Sequence, residues 1–349
     1  MRAEGRRPGG EAVGAMLRQL LRHNETWLAI LIVVLCAGIT IANPAFLTYE
    51  NVAGFLKSSS MTGIMAVGVL IVLILSGSPD VSFTAIAQVV EYAVAVATLQ
   101  WGGNIYLALA AAAAMGVLMG LVNGAIVHWF RVPTIIVTIA TFNIYFGMLY
   151  VITHGKLINL VHPMFRDFGN TLLFSRVSSI GASYGLSLMT LVWLAAVLLG
   201  WFILRKTFLG RSLFAIGGNE VAAERLGIAM LRTRLFAFGF VGLLSGLAAV
   251  VHLSIVQAVV PNIIVGKELE VIAAVVLGGA SVFGGKGTAL GAALGVLLFA
   301  ILNNGLTLLN VSSYWYNVTI GVVITVAITN SAYQALRRRR ARVHVKVEA

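Results

Sequence analysis

Apolar runs close to the thickness of a bilayer recur along almost the whole chain, and no other feature restricts its fold as much. About 20 consecutive apolar residues cross a hydrocarbon core as a helix. Runs of this kind lie near 27–42, 52–76, 83–99, 104–129, 133–153, 183–204, 235–257, 268–283, 287–309 and 314–332. Backbone groups in lipid must find partners inside the segment, and long continuous runs do so as helices. Only 10% of the 349 residues are charged, where a soluble domain has roughly 25%. The expected fold is an all-α polytopic membrane protein with about ten transmembrane segments. The eighth run is short and glycine-rich, which suggests a broken or re-entrant helix.

The net charge of +12 would raise the question of nucleic acid in a soluble protein. Here the basic residues sit between and beyond apolar runs, so orientation in the membrane explains them and no nucleic-acid partner is expected. With the N-terminus inside, five of the 24 basic residues fall on the outer side: Lys57, Lys156, Arg166, Arg176 and Lys267. The others gather in the N-terminal segment, at Arg131, in the 205–234 loop, at Lys286 and in the tail from Arg337. That split favours an even number of spans with both termini cytoplasmic. The expected organisation is a basic segment at 1–26, one membrane domain at 27–332 and a basic tail at 333–349. The first apolar run lacks a small-residue cleavage site and is expected to be a retained helix. The lone Cys36 says nothing about redox compartment.

Several enzyme chemistries fail on their own terms. Gly284-Gly-Lys-Gly-Thr288 lacks the Ser or Thr that must follow the lysine of a phosphate loop, so no ATPase site is expected. The six histidines are scattered with no ligand spacing, so no metal centre or other cofactor is expected either.

Polar groups at membrane depth are costly and tend to mark function. Glu91 lies mid-way along the third run, with Gln88 one turn earlier, and Asp80 lies in the Gly/Pro-interrupted link Ser76–Phe83. Asn123 and Asn304 can bond a hydroxylated substrate or hold two helices together. These residues and Trp315 are the candidates for a weakly polar pathway. Glu268 and Glu270 are read as interfacial. From the residues alone, an ion-coupled secondary transporter using Glu91 or Asp80 competes with other transport mechanisms.

A polar, helix-prone island interrupts the apolar sequence at Gly210–Ile228. Asn219 can cap a short helix over Glu220–Glu224, and Gly227 can end it. A faint internal similarity links Gly116–Gly124 to Gly295–Gly305. The offset reverses direction, so segments 2–5 and 7–10 would form inverted repeats, an arrangement common in transporters.

Three blocks carry a resemblance: Gly210–Ile228, the C-terminal pair Ala274–Thr288 and Leu302–Leu306, and Asn51–Gly77 with its Ala66-Val-Gly-Val-Leu. They resemble the permease subunits of ATP-binding-cassette importers for monosaccharides, the ribose/xylose/autoinducer-2 group. That family's Asp-hydrophobic-Ser signature survives at Asp80–Ser82, although Pro79 and Phe83 depart from its pattern. The resemblance implies an inner-membrane subunit with no ATPase site of its own, and a second permease copy or related permease as dimer partner. It also implies cytoplasmic ATP-binding subunits and a periplasmic sugar-binding protein. Gly217, Asn219, Glu220, Ala222, Ala223 and Gly227 would form the ATPase-coupling segment, with the two alanines seating it in a groove. Permeases for branched-chain amino acids or nucleosides share related cores and remain an alternative.

Overall fold

The computed structural model describes residues 24–177, 183–312, 314–326, 329 and 333. The basic residues before Asn24 and those from Arg337 onward lie outside them. In chain order the elements are α1 (Asn24–Ala42), a 3-10 turn (Pro44–Leu47), α2 (Tyr49–Ser58), α3 (Ser60–Ser76), α4 (Phe83–Trp101), α5 (Ile105–Phe130), α6 (Thr134–Thr153) and α7 (Pro163–Gly169). There follow β1 (Leu172–Val177), β2 (Ser183–Ser187), α8 (Leu188–Lys206), α9 (Phe208–Gly218), α10 (Glu220–Arg225), α11 (Met230–Val256), α12 (Glu268–Leu277), α13 (Ala289–Leu308) and α14 (Tyr314–Val326).

Side chains placed by the sequence start many of these helices. Asn104 Oδ1 accepts from the amides of Tyr106 and Leu107, at 3.0 and 3.2 Å, and so opens α5. Ser187, Thr207 and Thr288 do the same for α8, α9 and α13 through the amides of Met189, Gly210 and Gly291. Each cap supplies an acceptor to an otherwise unpaired first-turn amide.

Among the described residues seven helices are long and apolar enough to cross a membrane, and α2 with α3, bent by 47°, makes an eighth if the pair is one span. The bend falls at Ser59, within the run expected as one span. The helix in the eighth run, α12, has 10 residues, about 15 Å at 1.5 Å per residue, or half a hydrocarbon core of about 30 Å. Glycines end it: Gly279, Gly284, Gly285 and Gly287 all have positive φ and turn the chain toward α13. The sixth run begins later than expected, because 183–187 is a strand rather than the start of α8. The antiparallel hairpin of β1 and β2 is a small departure from an all-α fold.

α3 is the centre of the protein. Every residue from Ser60 to Leu75 is buried, so this largely apolar helix faces protein on every side. α11, α8, α12, α13 and α9 surround it. α5 lies along α11 with backbone touching backbone. A Cβ added at Gly116 would stand 2.1 Å from the Gly242 carbonyl oxygen, and one at Gly120 2.1 Å from that of Phe238. Small residues four apart allow this approach in lipid, where packing must supply what the hydrophobic effect does not. The outer faces of α1, α5, α6 and α8 carry exposed Trp27, Val33, Leu118, Ile136, Val151 and Leu198, as a lipid-facing surface should.

Candidate functional site

The polar residues singled out in the sequence fall into separate places rather than one chamber. The first is the link between α3 and α4. Gly77 leaves α3 in the left-handed conformation (φ 62°) and Asp80 is fully buried beyond it. Asp80 Oδ1 accepts from both the amide and the hydroxyl of Ser82, each at 2.7 Å. The Asn123 amide of α5 donates to the Ser82 hydroxyl at 2.7 Å. Asn123 therefore fastens the link to α5.

The second place lies two turns farther along α4. Glu91 is fully buried and its Oε1 stands 2.6 Å from His252 Nδ1 of α11. Gln88 Nε2 donates to Glu91 Oε2 at 3.2 Å, while Gln88 Oε1 accepts from the Ile264 amide at 2.9 Å. Four groups thus tie α4, α11 and the irregular 257–267 segment together. His252 was missed in the sequence, since a lone histidine in an apolar run shows no pattern. The available signal was Glu91 itself, because a carboxylate at that depth requires a donor.

Near the same segment, the Thr84 hydroxyl of α4 donates to Glu268, the first residue of α12. Glu268 also accepts from the Gly266 amide. Glu268 is half-buried and joins α4 to the start of α12.

Asn304 is remote from both places. It exchanges two hydrogen bonds with Asn51, at 2.7 and 2.9 Å, and so clasps α13 to α2. Trp315 is 60% exposed on α14 and joins neither cluster.

The polar island forms an elbow at the end of α8 opposite the β-hairpin. α9 follows α8 directly, and α10 occupies Glu220–Arg225. Asn219 Oδ1 accepts from the Ala222 amide at 3.0 Å. Gly227 (φ 77°) closes α10, with amide bonds from Gly227 to Glu224 and from Ile228 to Ala223. This is the paired bonding that a left-handed glycine gives a helix end. Asn219→Ala should therefore weaken α10 by about 1 kcal/mol. Faster amide exchange confined to 220–226 would show it, and unchanged exchange would refute the cap.

Two residues of the island turn inward rather than outward. Ala223 is buried against the body, so Val221, Ala222 and Leu226 form the outward surface instead. Gly217 packs so closely that an added Cβ would meet the Ile74 oxygen at 1.8 Å and the Gly285 nitrogen at 2.6 Å. Gly285 itself donates to Ile74 O at 2.9 Å. The elbow, the end of α3 and the α12–α13 turn consequently meet backbone to backbone. Glu220 pairs with Arg234, whose guanidinium also reaches His128 Nδ1 at 3.2 Å. A cleft of about 820 Å³ opens beside this elbow, lined by Ser76, His128, Arg131, Asn219, Glu220 and Arg234 among others.

Comparison with known proteins bears on this arrangement. The family described as branched-chain amino acid transport system / permease component matches residues 51–328. The chain is 36% identical over 299 residues to the ribose import permease of Escherichia coli K12, covering 86% of this chain and 91% of that protein. It is 33% identical over 312 residues to the ribose import permease of Haemophilus influenzae, covering 88% and 93%. It is 30% identical over 324 residues to the L-arabinose transporter permease of Azospirillum brasilense, covering 92% and 91%. No solved structure matches.

Proposed function

Because this chain belongs to the family of permease components of branched-chain amino acid transport systems, we propose that it is the membrane subunit through which an ATP-driven importer passes a monosaccharide. The relatives named for their cargo carry ribose, arabinose, xylose or autoinducer 2. All of these have five-carbon skeletons rich in hydroxyl groups. A pentose or pentose-like solute is the substrate class this supports. In this reading a periplasmic binding protein delivers it, a second permease copy or a related permease completes the pathway, and two cytoplasmic ATP-binding subunits supply the force.

The observation that carries the mechanism is the three-way backbone contact of Gly217, Ile74 and Gly285. A push on the outward surface of α9 and α10 has no loose side-chain layer to absorb it. It reaches the central helix α3 and the α12–α13 turn directly. In this reading the elbow is the coupling segment, and the distribution of basic residues supports a cytoplasmic position for it and for both termini. The cleft beside it would receive part of an ATP-binding subunit.

Ten membrane segments follow if α2–α3 count as one and the short α12 and α14 are included with the seven long helices, α12 as a half-span. An inverted repeat also has support. α3 and α11 both end on a left-handed residue, Gly77 at φ 62° and Gln257 at φ 60°. Each then leads through an irregular link into the next helix, α4 or α12. The first residues of those two helices meet at Thr84 and Glu268, as they would across a local two-fold axis. The pathway would run beside this meeting point, with Asp80, Gln88, Glu91 and Asn123 holding its two links in place. Asn304 and Trp315 would flank it from outside.

Uptake of labelled ribose, arabinose and xylose into proteoliposomes holding the complete importer tests the assignment. Uptake should require internal ATP and persist when ionophores collapse ion gradients. Uptake that disappears with the gradients while ATP remains would overturn it. Gly217→Val should lower sugar uptake about tenfold, the effect of little more than 1 kcal/mol lost from coupling. ATP hydrolysis by the assembled complex should continue. Equal uptake by the variant would remove the elbow contact from the mechanism.

A further inference from the structure

The two buried carboxylates of the membrane domain differ in one respect. Glu91 has His252 against it, whereas Asp80 enters no ion pair, the pairs among the described residues being Arg234–Glu220 and His252–Glu91. Asp80 Oδ1 is satisfied twice by Ser82, yet its Oδ2 is buried with no partner at all. Asn123 is also fully buried and shows the same imbalance: its nitrogen donates to Ser82, and its Oδ1 is buried without a partner. Both vacancies are acceptors, and both belong to the single chain Asp80–Ser82–Asn123.

Two buried acceptors without partners, on residues joined through the Ser82 hydroxyl, require a donor. Thr138 of α6 is not that donor, because its hydroxyl accepts from the Val81 amide at 3.3 Å and lies 3.4 Å from Ile135 O. Tyr145 of α6 is not the donor either, because it donates its phenol to Met119 O at 3.1 Å. A water could donate twice, but it would leave a bare carboxylate in the interior, which is heavily penalised without a counter-charge. A hard metal cation gathers six or more oxygens, and here two are free.

We propose that Asp80 is a proton-binding site: Oδ2 carries a proton that satisfies the Asn123 amide oxygen. The carboxyl is then neutral, and both vacant acceptors are filled by one hydrogen. The proton serves as the latch of the 77–82 link. While it is bound, the link stays folded against α5 at membrane depth. When the link opens to water, Asp80 can ionise and the contact to Asn123 is released. The inference rests on this geometry alone and is independent of which solute is carried.

Infrared spectroscopy of the purified full-length permease at neutral pH tests it. A carboxylic-acid carbonyl band that shifts in deuterated water should be present in the wild type and absent in Asp80→Asn. Asn123→Val should keep the band and move it toward the position of a carboxyl without a hydrogen bond. Either variant alone keeps the proposal testable if the other fails to fold. No band lost in Asp80→Asn, or a band unmoved in Asn123→Val, would overturn the assignment. Thermal midpoints in sodium, potassium and choline chloride should coincide; a sodium- or potassium-specific rise lost in Asp80→Asn would replace the proton with a metal ion.

Discussion

Replacing His252 with alanine is expected to destabilise the folded protein by about 3–5 kcal/mol, the range for removing one partner of a buried charged pair. The loss has little to do with the volume of the imidazole. It arises because Glu91 stays behind, fully buried, with Gln88 as its one remaining donor. Removing both partners should hurt less. Glu91→Met with His252→Leu leaves no orphaned acceptor on the pair, and apolar replacement of a buried ion pair is often neutral. Thermal or denaturant unfolding in detergent, read as a double-mutant cycle, separates these effects. If His252→Ala were within about 1 kcal/mol of wild type, the value for an exposed pair, the contact would not be holding α4 to α11. The freed Gln88 should also loosen the Ile264 amide, so exchange at 257–267 should accelerate in the single variant.

Gly242→Leu should be comparably severe, at about 3 kcal/mol or more, the upper end for overpacking. A Cβ there stands 2.0 Å from the Gly116 carbonyl oxygen, and Gly116 faces Gly242 in the same way at 2.1 Å. The obstructing atoms are backbone, so no rotamer change can relieve them. The helices would have to separate, taking with them the hold of α5 on Ser82 through Asn123. The control is Gly147→Leu in α6, where an added Cβ meets nothing within 4 Å. That variant should change little beyond helix propensity. Folded yield and unfolding midpoint provide the comparison. Equal behaviour of the two variants would mean that the α5–α11 contact is not tight.

What could be read from the chain depended on whether the governing chemistry was local. Asn219 and Gly227 mark the ends of α10 because capping is decided within a few residues, and the structure has the helix between them. The apolar runs marked most spans for the same reason. Hydropathy does not distinguish a helix in lipid from one wrapped in protein, so the central place of α3 was invisible. The glycines of the run at 268–283 did mark a broken helix, and the structure has ten helical residues there. Gly217 was read as part of the coupling segment, and Ala223 with Ala222 as seating it in a groove. The smallness of Gly217 and Ala223 serves contacts with Ile74 and the protein body, made by residues distant in the chain. Asn304 found Asn51, a partner 253 positions away, and nothing local identifies such a pair. Asp80, Gln88 and Glu91 stood out because charge and amide at that depth demand partners, although the partners themselves were not legible.

The burial of α3 has a consequence for biogenesis. This helix leaves the translocon as an apolar segment able to rest in lipid, yet in the finished protein it touches no lipid. Helices α8, α11, α12 and α13 enclose it, and the last of these ends at Leu308. Nearly nine-tenths of the chain must therefore be synthesised before the heart of the protein can close. Until then α3 is a lodger in the bilayer, and the half-length α12, unable to span by itself, has no place to settle. Assembly of this permease is accordingly a late, concerted enclosure rather than a span-by-span accretion, and a chain arrested before α13 would present quality-control proteases with an open shell.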